Sequence, residues 1–298
     1  MKEVVKVAER GTMDTRRISF ITELGTHLGN VSRRTLRSMR SLFISLLFPV
    51  VAAFITIFIA GENMFVHYEG TKSACFVLVC AAIWGGMFNS VQIIVGERAE
   101  IKRGYVGGSM RLSCYVLANA IVQLILCVIQ SVVLCSSLYG VEQVWGNEFG
   151  REGLLLENTV PEYYITILLV MYAADTMGIL ISSLVKKSEV ASVMAPYILI
   201  VQLIFSGILF TLNGFAANLS AVMLSRWGME ALGSISNLNA MPLRLQAEFP
   251  ALPHEAEDAF LYTTEHLRNV WLILAVFVVV PLVLSVVVLR GVKNDTRE

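Results

Sequence analysis

Side chains able to make or break bonds are sparse in this sequence, and they do not cluster. The four histidines, His27, His67, His254 and His266, lie in separate polar segments, and Cys75, Cys80, Cys114, Cys127 and Cys135 all fall inside apolar runs. There is no Gly-x-Ser-x-Gly elbow, no His-Glu-x-x-His and no Cys-x-x-Cys. No nucleophile, metal site or disulfide framework is therefore expected. The chain also lacks any Gly-Lys dipeptide, so it holds no Walker A loop and is expected not to hydrolyse ATP by itself. An aspartyl mechanism needs two facing carboxylates, and the interiors of the apolar runs offer a single acid, Asp175. An ionisable group at that depth must face a polar cavity or a partner, so Asp175 marks either a solute path or a hydrogen bond to a neighbouring helix. Asn89, Gln92, Gln123 and Gln202 carry the same two readings, as ligands or as links between helices.

Such side chains need elements to hold them, and composition says what kind. Of 298 residues 56% are hydrophobic and 15% charged, whereas soluble domains carry roughly a quarter charged residues. Apolar runs at 42–60, 74–95, 112–138, 162–185, 190–210 and 270–290 each approach the ~20 residues that cross a bilayer core. The expected fold is an all-α membrane protein with six transmembrane helices. Pro49, Pro196 and Pro281 lie within these runs and predict kinks rather than breaks. Residues 1–41 form a connecting segment in which Ile21, Leu24, Leu28, Val31 and Thr35 repeat at helical spacing, with Arg33, Arg34, Arg37 and Arg40 crowding its end. That pattern predicts an interfacial amphipathic helix. The first apolar run follows a charged segment and has no small-residue cleavage site, so it is expected to remain as a span.

Charge sorting gives the orientation. Lys+Arg and Asp+Glu both total 23, which leaves no basic field for nucleic acid. If both termini share one side, that side receives eighteen of the cations, and the other receives only Lys72, Arg151, Arg226, Arg244 and Arg268. The positive-inside rule then places both termini and the tail, 291–298, in the cytoplasm. The turn Lys186-Lys187-Ser188-Glu189 makes spans four and five a tight hairpin. The outer segment, 211–269, begins with a half too polar to span and too apolar for a free loop, which predicts re-entrant outer helices before the last span. Its second half, with Pro250, Pro253, Glu255, Glu257 and Asp258, reads as an exposed acidic loop.

Three stretches stand in a telling order. The first runs from Val95-Gly96-Glu97-Arg98-Ala99-Glu100 through Arg103-Gly104-Tyr105 to Ser113-Cys114-Tyr115-Val116-Leu117-Ala118. The second is Ile204-Phe205-Ser206-Gly207-Ile208-Leu209, and the third is Ser225-Arg226-Trp227-Gly228-Met229-Glu230-Ala231-Leu232. Together with the order of the spans, they resemble the membrane domain of ABCG-like ABC exporters, from about Ile18 to Arg290.

The resemblance implies a permease subunit in the cell (inner or plasma) membrane, working as a homo- or heterodimer and driven by an ABC ATPase that binds ATP and Mg. In animal relatives the ATPase domain shares the chain. Here only about forty residues precede the first run, so the ATPase is expected on another chain or on a longer form of this one. Glu97, Arg98, Glu100, Lys102 and Arg103 would form the element that couples to the ATPase, rather than ordinary solvated loop charge, and an arginine among Arg33, Arg34 and Arg37 is expected to pair with Glu97. Gly85, Asn89, Asp175, Leu199, Gln202 and Phe205 would line the substrate path. Ile208 and Leu209 would form a hydrophobic outer gate, against the alternative of lipid-facing side chains. Ala82, Gly85 and Leu199 stand where drug-exporting relatives carry aromatic and asparagine side chains, which implies no clamp for flat drugs. The missing outer-loop cysteines suit a bacterial protein. The rival function is a passive channel or a membrane scaffold anchoring a partner.

Overall fold

The computed structural model describes residues 19–60, 67–145, 153–208, 210, 214–241 and 257–295. Every regular element among them is helical. Helix α1 (Phe20–Arg37) is amphipathic as expected: Leu24, Leu28, Val31 and Thr35 turn inward against α6, and Ile21 stays exposed. Helix α2 (Met39–Ala60) follows after a bend of 71°. Then come α3 (Tyr68–Ser90), the short α4 (Ile93–Gly96), α5 (Arg98–Val106), α6 (Leu112–Trp145), α7 (Thr159–Leu184) and α8 (Ser188–Ile204). Two small helices, α9 (Phe215–Ser220) and α10 (Leu224–Ile235), precede α11 (Thr264–Leu289).

Four stretches are long and apolar enough to cross a membrane: Tyr68–Gly96, Leu112–Gly140, Thr159–Leu184 and Thr264–Asn294. The bent pair formed by α1 and α2 supplies a fifth. The run at 190–210 does not make one full-length helix. Helix α8 stops at Ile204 after 17 residues, roughly 26 Å at 1.5 Å per residue against a ~30 Å core. Its end is set locally: Ser206 Oγ turns back to the Leu203 carbonyl at 2.7 Å, and Gly207 adopts φ +81°, which only glycine enters without strain. Pro49, Pro196 and Pro281 each sit inside a helix and do not break it.

At the centre α3 crosses α7 at very close range. The crossing is made by glycines on both helices. A methyl group on Gly86 would overlap the Met171 carbonyl oxygen, and one on Gly178 would lie 2.8 Å from the Met87 carbonyl. Leu78, Ile83, Met87, Ile167 and Met171 fill the surrounding core. The predicted second span is broken at Val91–Gln92, and Ser182 of α7 explains why this costs little. Its hydroxyl accepts hydrogen bonds from Ile94 N and Val95 N, both at 3.0 Å, so the amides freed by the break are satisfied in the interior. Helix α11 buries one stripe, Leu267, Val270, Leu274, Pro281, Ser285 and Leu289, and leaves Leu272, Val276, Val279, Val283 and Val287 exposed. An apolar face of that kind is what a helix shows to lipid.

The expected re-entrant segment contains α9 and α10. All but two residues of α10, Arg226 and Trp227, are buried among α3, α7 and α11. Gly228 makes this fit possible: a methyl there would sit 3.0 Å from Val170 Cγ2 and 3.1 Å from Val79 Cγ1. Most of the expected acidic loop, including Pro250, Pro253 and Glu255, lies outside the described residues. Glu257 departs from the expectation of a free loop charge. It takes Lys72 Nζ at 2.6 Å, bonds the Tyr68 hydroxyl, and has its backbone held by Asn239.

Candidate functional site

Side chains from α1 and α6 converge on Glu97, between α4 and α5. One carboxylate oxygen pairs with Arg34 of α1, and the other accepts the Tyr115 hydroxyl of α6 at 2.6 Å. Arg34 also donates to Asn119 Oδ1 at 3.3 Å, and Asn119 donates to the Tyr115 carbonyl at 2.9 Å. A second tie, Arg111 to Glu23 at 3.4 Å, fixes the other end of α1 to the start of α6. Of the three arginines expected to partner Glu97, the fold selects Arg34. Glu97 thus stands at the joint between α4 and α5 and is bound to two other helices at once.

Helix α5 carries the remaining coupling candidates, and the structure sorts them by face. Arg98 donates to Asp295 at 2.7 Å and to the Ser183 and Val185 carbonyls, both at 2.8 Å, so it caps the end of α7. Lys102 bonds the Asp295 backbone carbonyl, and Ile101 is fully buried. Burial alone would raise the Asp295 carboxyl. The hydrogen bond and charge of Arg98, with Lys186 beside it, hold it below the ordinary carboxylate range instead. Glu100 and Arg103 point the other way and are exposed. Arg98 and Lys102 therefore knit the chain to itself, whereas Glu100 and Arg103 present charge outward.

The residues expected along a path do not form one lining. Gly85 and Asn89 border a crevice of ≈ 1090 Å³ between α2, α3 and α6. There Asn89 accepts from Ser45 Oγ at 3.0 Å and donates to Gln130 Oε1 at 2.7 Å, making a polar link across three helices. Leu199 and Gln202 turn instead into the protein: Gln202 Oε1 accepts Ser225 N at 3.1 Å, and Leu199 is buried in the main core. Phe205 is half-buried at the end of α8. Asp175 is fully buried beneath the α3 and α7 crossing, and neither carboxylate oxygen has a hydrogen-bond partner among the described residues. Ile208 packs on Leu238, Met241 and Phe260 at the α10 end, and Leu209 lies outside the described residues.

Two groups escaped the reading of the sequence. Asn119 and Asp295 carry no local signal, because their partners lie 85 and 197 residues away. Glu230, noted only within a motif, is buried on α10 between His266 at 3.3 Å and Arg226 at 3.7 Å. Burial pushes its carboxyl up, against the pull of His266 and Arg226.

No curated protein sequence matches this chain. A family match covers residues 26–235, from the middle of α1 to the end of α10, and so includes the Glu97 junction, the glycine crossing and the crevice. A multi-pass, all-helical membrane protein with this span of similarity is a membrane-spanning permease subunit, and its family implies an ABC ATPase as partner: the chain belongs to the ABC-2 type transporter family.

Proposed function

We propose that this chain is the permease of an ATP-driven bacterial exporter, paired with a second permease protomer and powered by an ABC ATPase that alone binds ATP and Mg. The observation that carries the reading is the division of α5. One face is locked to the chain's own α7 and tail through Arg98 and Lys102, and the other offers Glu100 and Arg103 beside the Arg34–Glu97 pair. A rigid helix with a free charged face is what transmission from a soluble partner requires. The second protomer is proposed to meet α8. Ala191, Ala195, Leu199 and Gln202 bury one face, while Val193, Tyr197, Ile200 and Ile204 leave an apolar face exposed. Ile208 and Leu209 at its end are the proposed outer gate; of the residues expected along a path, only Gly85 and Asn89 border a common opening, the crevice between α2, α3 and α6.

The expected test result is that the tagged chain, isolated from its own membrane, retains an ABC ATPase, and that ATP-dependent export by proteoliposomes needs both. Solute flux through the permease alone, without ATP, would overturn this in favour of a passive channel.

Five crossings would put the termini on opposite sides and split the cation-rich segments. A sixth crossing, proposed for the apolar run 190–210, keeps them together on the cytoplasmic side of the cell membrane. A cysteine placed at Glu265 is expected to react with an impermeant thiol reagent outside intact cells, and one at Glu189 only after lysis. Both positions are exposed, and four of the five native cysteines are buried. Reversed labelling would overturn the topology.

A further inference from the structure

The crevice between α2, α3 and α6 is graded in polarity along its length. At one end stand Arg34, Glu97 and Arg40 with Thr35 and Ser38. Arg34 is committed to Glu97 and Asn119, whereas Arg40 is exposed. Beyond them lies the Ser45, Asn89 and Gln130 link, and then a wall of Phe48, Trp84 and Phe88. Trp84 and Phe88 are exposed and pack on each other with ring centres 5.4 Å apart. From Gly96 at the charged end to Gly85 at the apolar end is roughly 17 Å of helix at 1.5 Å per residue, about half of a ~30 Å hydrocarbon core. A soluble anion would leave the aromatic wall unused, and a neutral hydrophobe would leave the Arg40 guanidinium unused.

We propose that this crevice holds one anionic membrane lipid, with its phosphate on Arg40 and its acyl chain along Phe48, Trp84 and Phe88. Guanidinium groups bind phosphate oxygens through paired N–H donors, and basic side chains beside a membrane surface attract anionic lipid. The depth of the crevice matches one leaflet. Arg33 and Arg37, exposed on the same end of α1, add to the positive field on that side. The lipid site needs only the permease, so its failure would leave the exporter reading standing, and the converse also holds.

The test uses the full chain in phosphatidylcholine nanodiscs, with Trp84 emission isolated as the difference between the wild type and Trp84→Phe. Phosphatidylglycerol with brominated acyl chains is expected to quench Trp84 saturably, at a lipid fraction at least fivefold below that needed with brominated phosphatidylcholine. Arg40→Gln should remove the preference, and Arg40→Lys should keep most of it. Both substitutions alter an exposed side chain, and unchanged elution of each variant is the control for folding. Equal quenching by the two lipids would make the crevice ordinary lipid-facing surface and overturn the proposal, as would a preference that survives Arg40→Gln. Absence of quenching by either lipid would mean that protein covers the crevice. Displacement by soluble glycerol phosphate would reduce it to an anion site; either result also overturns the proposal.

Discussion

Arg34→Glu is expected to abolish most ATP-driven export while leaving the permease folded and bound to its ATPase, and Arg34→Glu with Glu97→Arg is expected to recover a substantial part. The single change sets two carboxylates against each other at the joint between α4 and α5 and strips Asn119 of its donor. The double change restores opposite charges in the same place. Arg34 and Glu97 are partly exposed, with side chains 41% and 23% accessible, so solvent screens the pair and its strength alone is about 1 kcal/mol or less. The larger effect on export comes from position. Through Glu97, α5 is tied to α1 and, by Tyr115, to α6, so loosening that contact lets α5 move without carrying the spans. Glu97→Ala should show a milder loss, because it removes the bond without adding repulsion. The measurement is ATP hydrolysis and export in proteoliposomes, analysed as a double-mutant cycle. If Arg34→Glu exports like the wild type, or if the reciprocal change recovers nothing, the pair is a surface contact and does not transmit motion.

This pair shows how far a sequence can carry such an argument. Glu97 at a span boundary and an arginine cluster at the end of an amphipathic helix are both visible in one dimension, and joining them needs only the rule that buried or half-buried charge seeks a partner. The choice among Arg33, Arg34 and Arg37 needs the rotation of α1, which is fixed by Val31 packing inward. Arg98 and Lys102 were not separable from Glu100 and Arg103 by spacing, since what sorts them is Asp295, far along the chain. Leu199 and Gln202, three residues apart, share one face of α8 by helical spacing alone. Spacing does not say that this face meets Ser225 of the same chain rather than an open path. Nor does hydropathy register the stop after Ile204, because Ser206 and Gly207 end the helix through hydrogen bonding and backbone conformation, not polarity. The third motif is the opposite case: its Trp-Gly-x-x-Ala-Leu spacing turns out to describe a helix whose glycine admits Val79 and Val170 and whose Ala231 and Leu232 are buried.

Close packing in the middle of the molecule leads to the largest effect on stability. Gly86→Ala is expected to destabilise the permease severely, whereas Gly85→Ala, one position away, is expected to be nearly neutral. On Gly86 the added methyl would overlap the Met171 carbonyl oxygen and come within 3.0 Å of Asp175 N. These are backbone atoms of α7, so no side chain can rotate out of the way and the two helices must separate. Separation would also strain the Ser90 hydrogen bond to the Asp175 carbonyl, now 2.6 Å, and the packing of Met87 beside it. Overpacking a tight interior costs typically 1–3 kcal/mol, and a clash with rigid backbone belongs at or above the upper end, about 3 kcal/mol. On Gly85 the methyl meets only Met171 Cε at 3.6 Å and Phe48 ring carbons at 3.7 Å, which is ordinary contact. In detergent, Gly86→Ala should give little monodisperse protein and a melting temperature many degrees lower, while Gly85→Ala should match the wild type. The comparison controls for helix propensity, because both changes replace glycine by alanine in the same helix and gain similarly from it. Equal melting of the two variants would mean that α3 and α7 do not approach at Gly86, and the close crossing that carries Asp175 and the α4 joint would have to be abandoned.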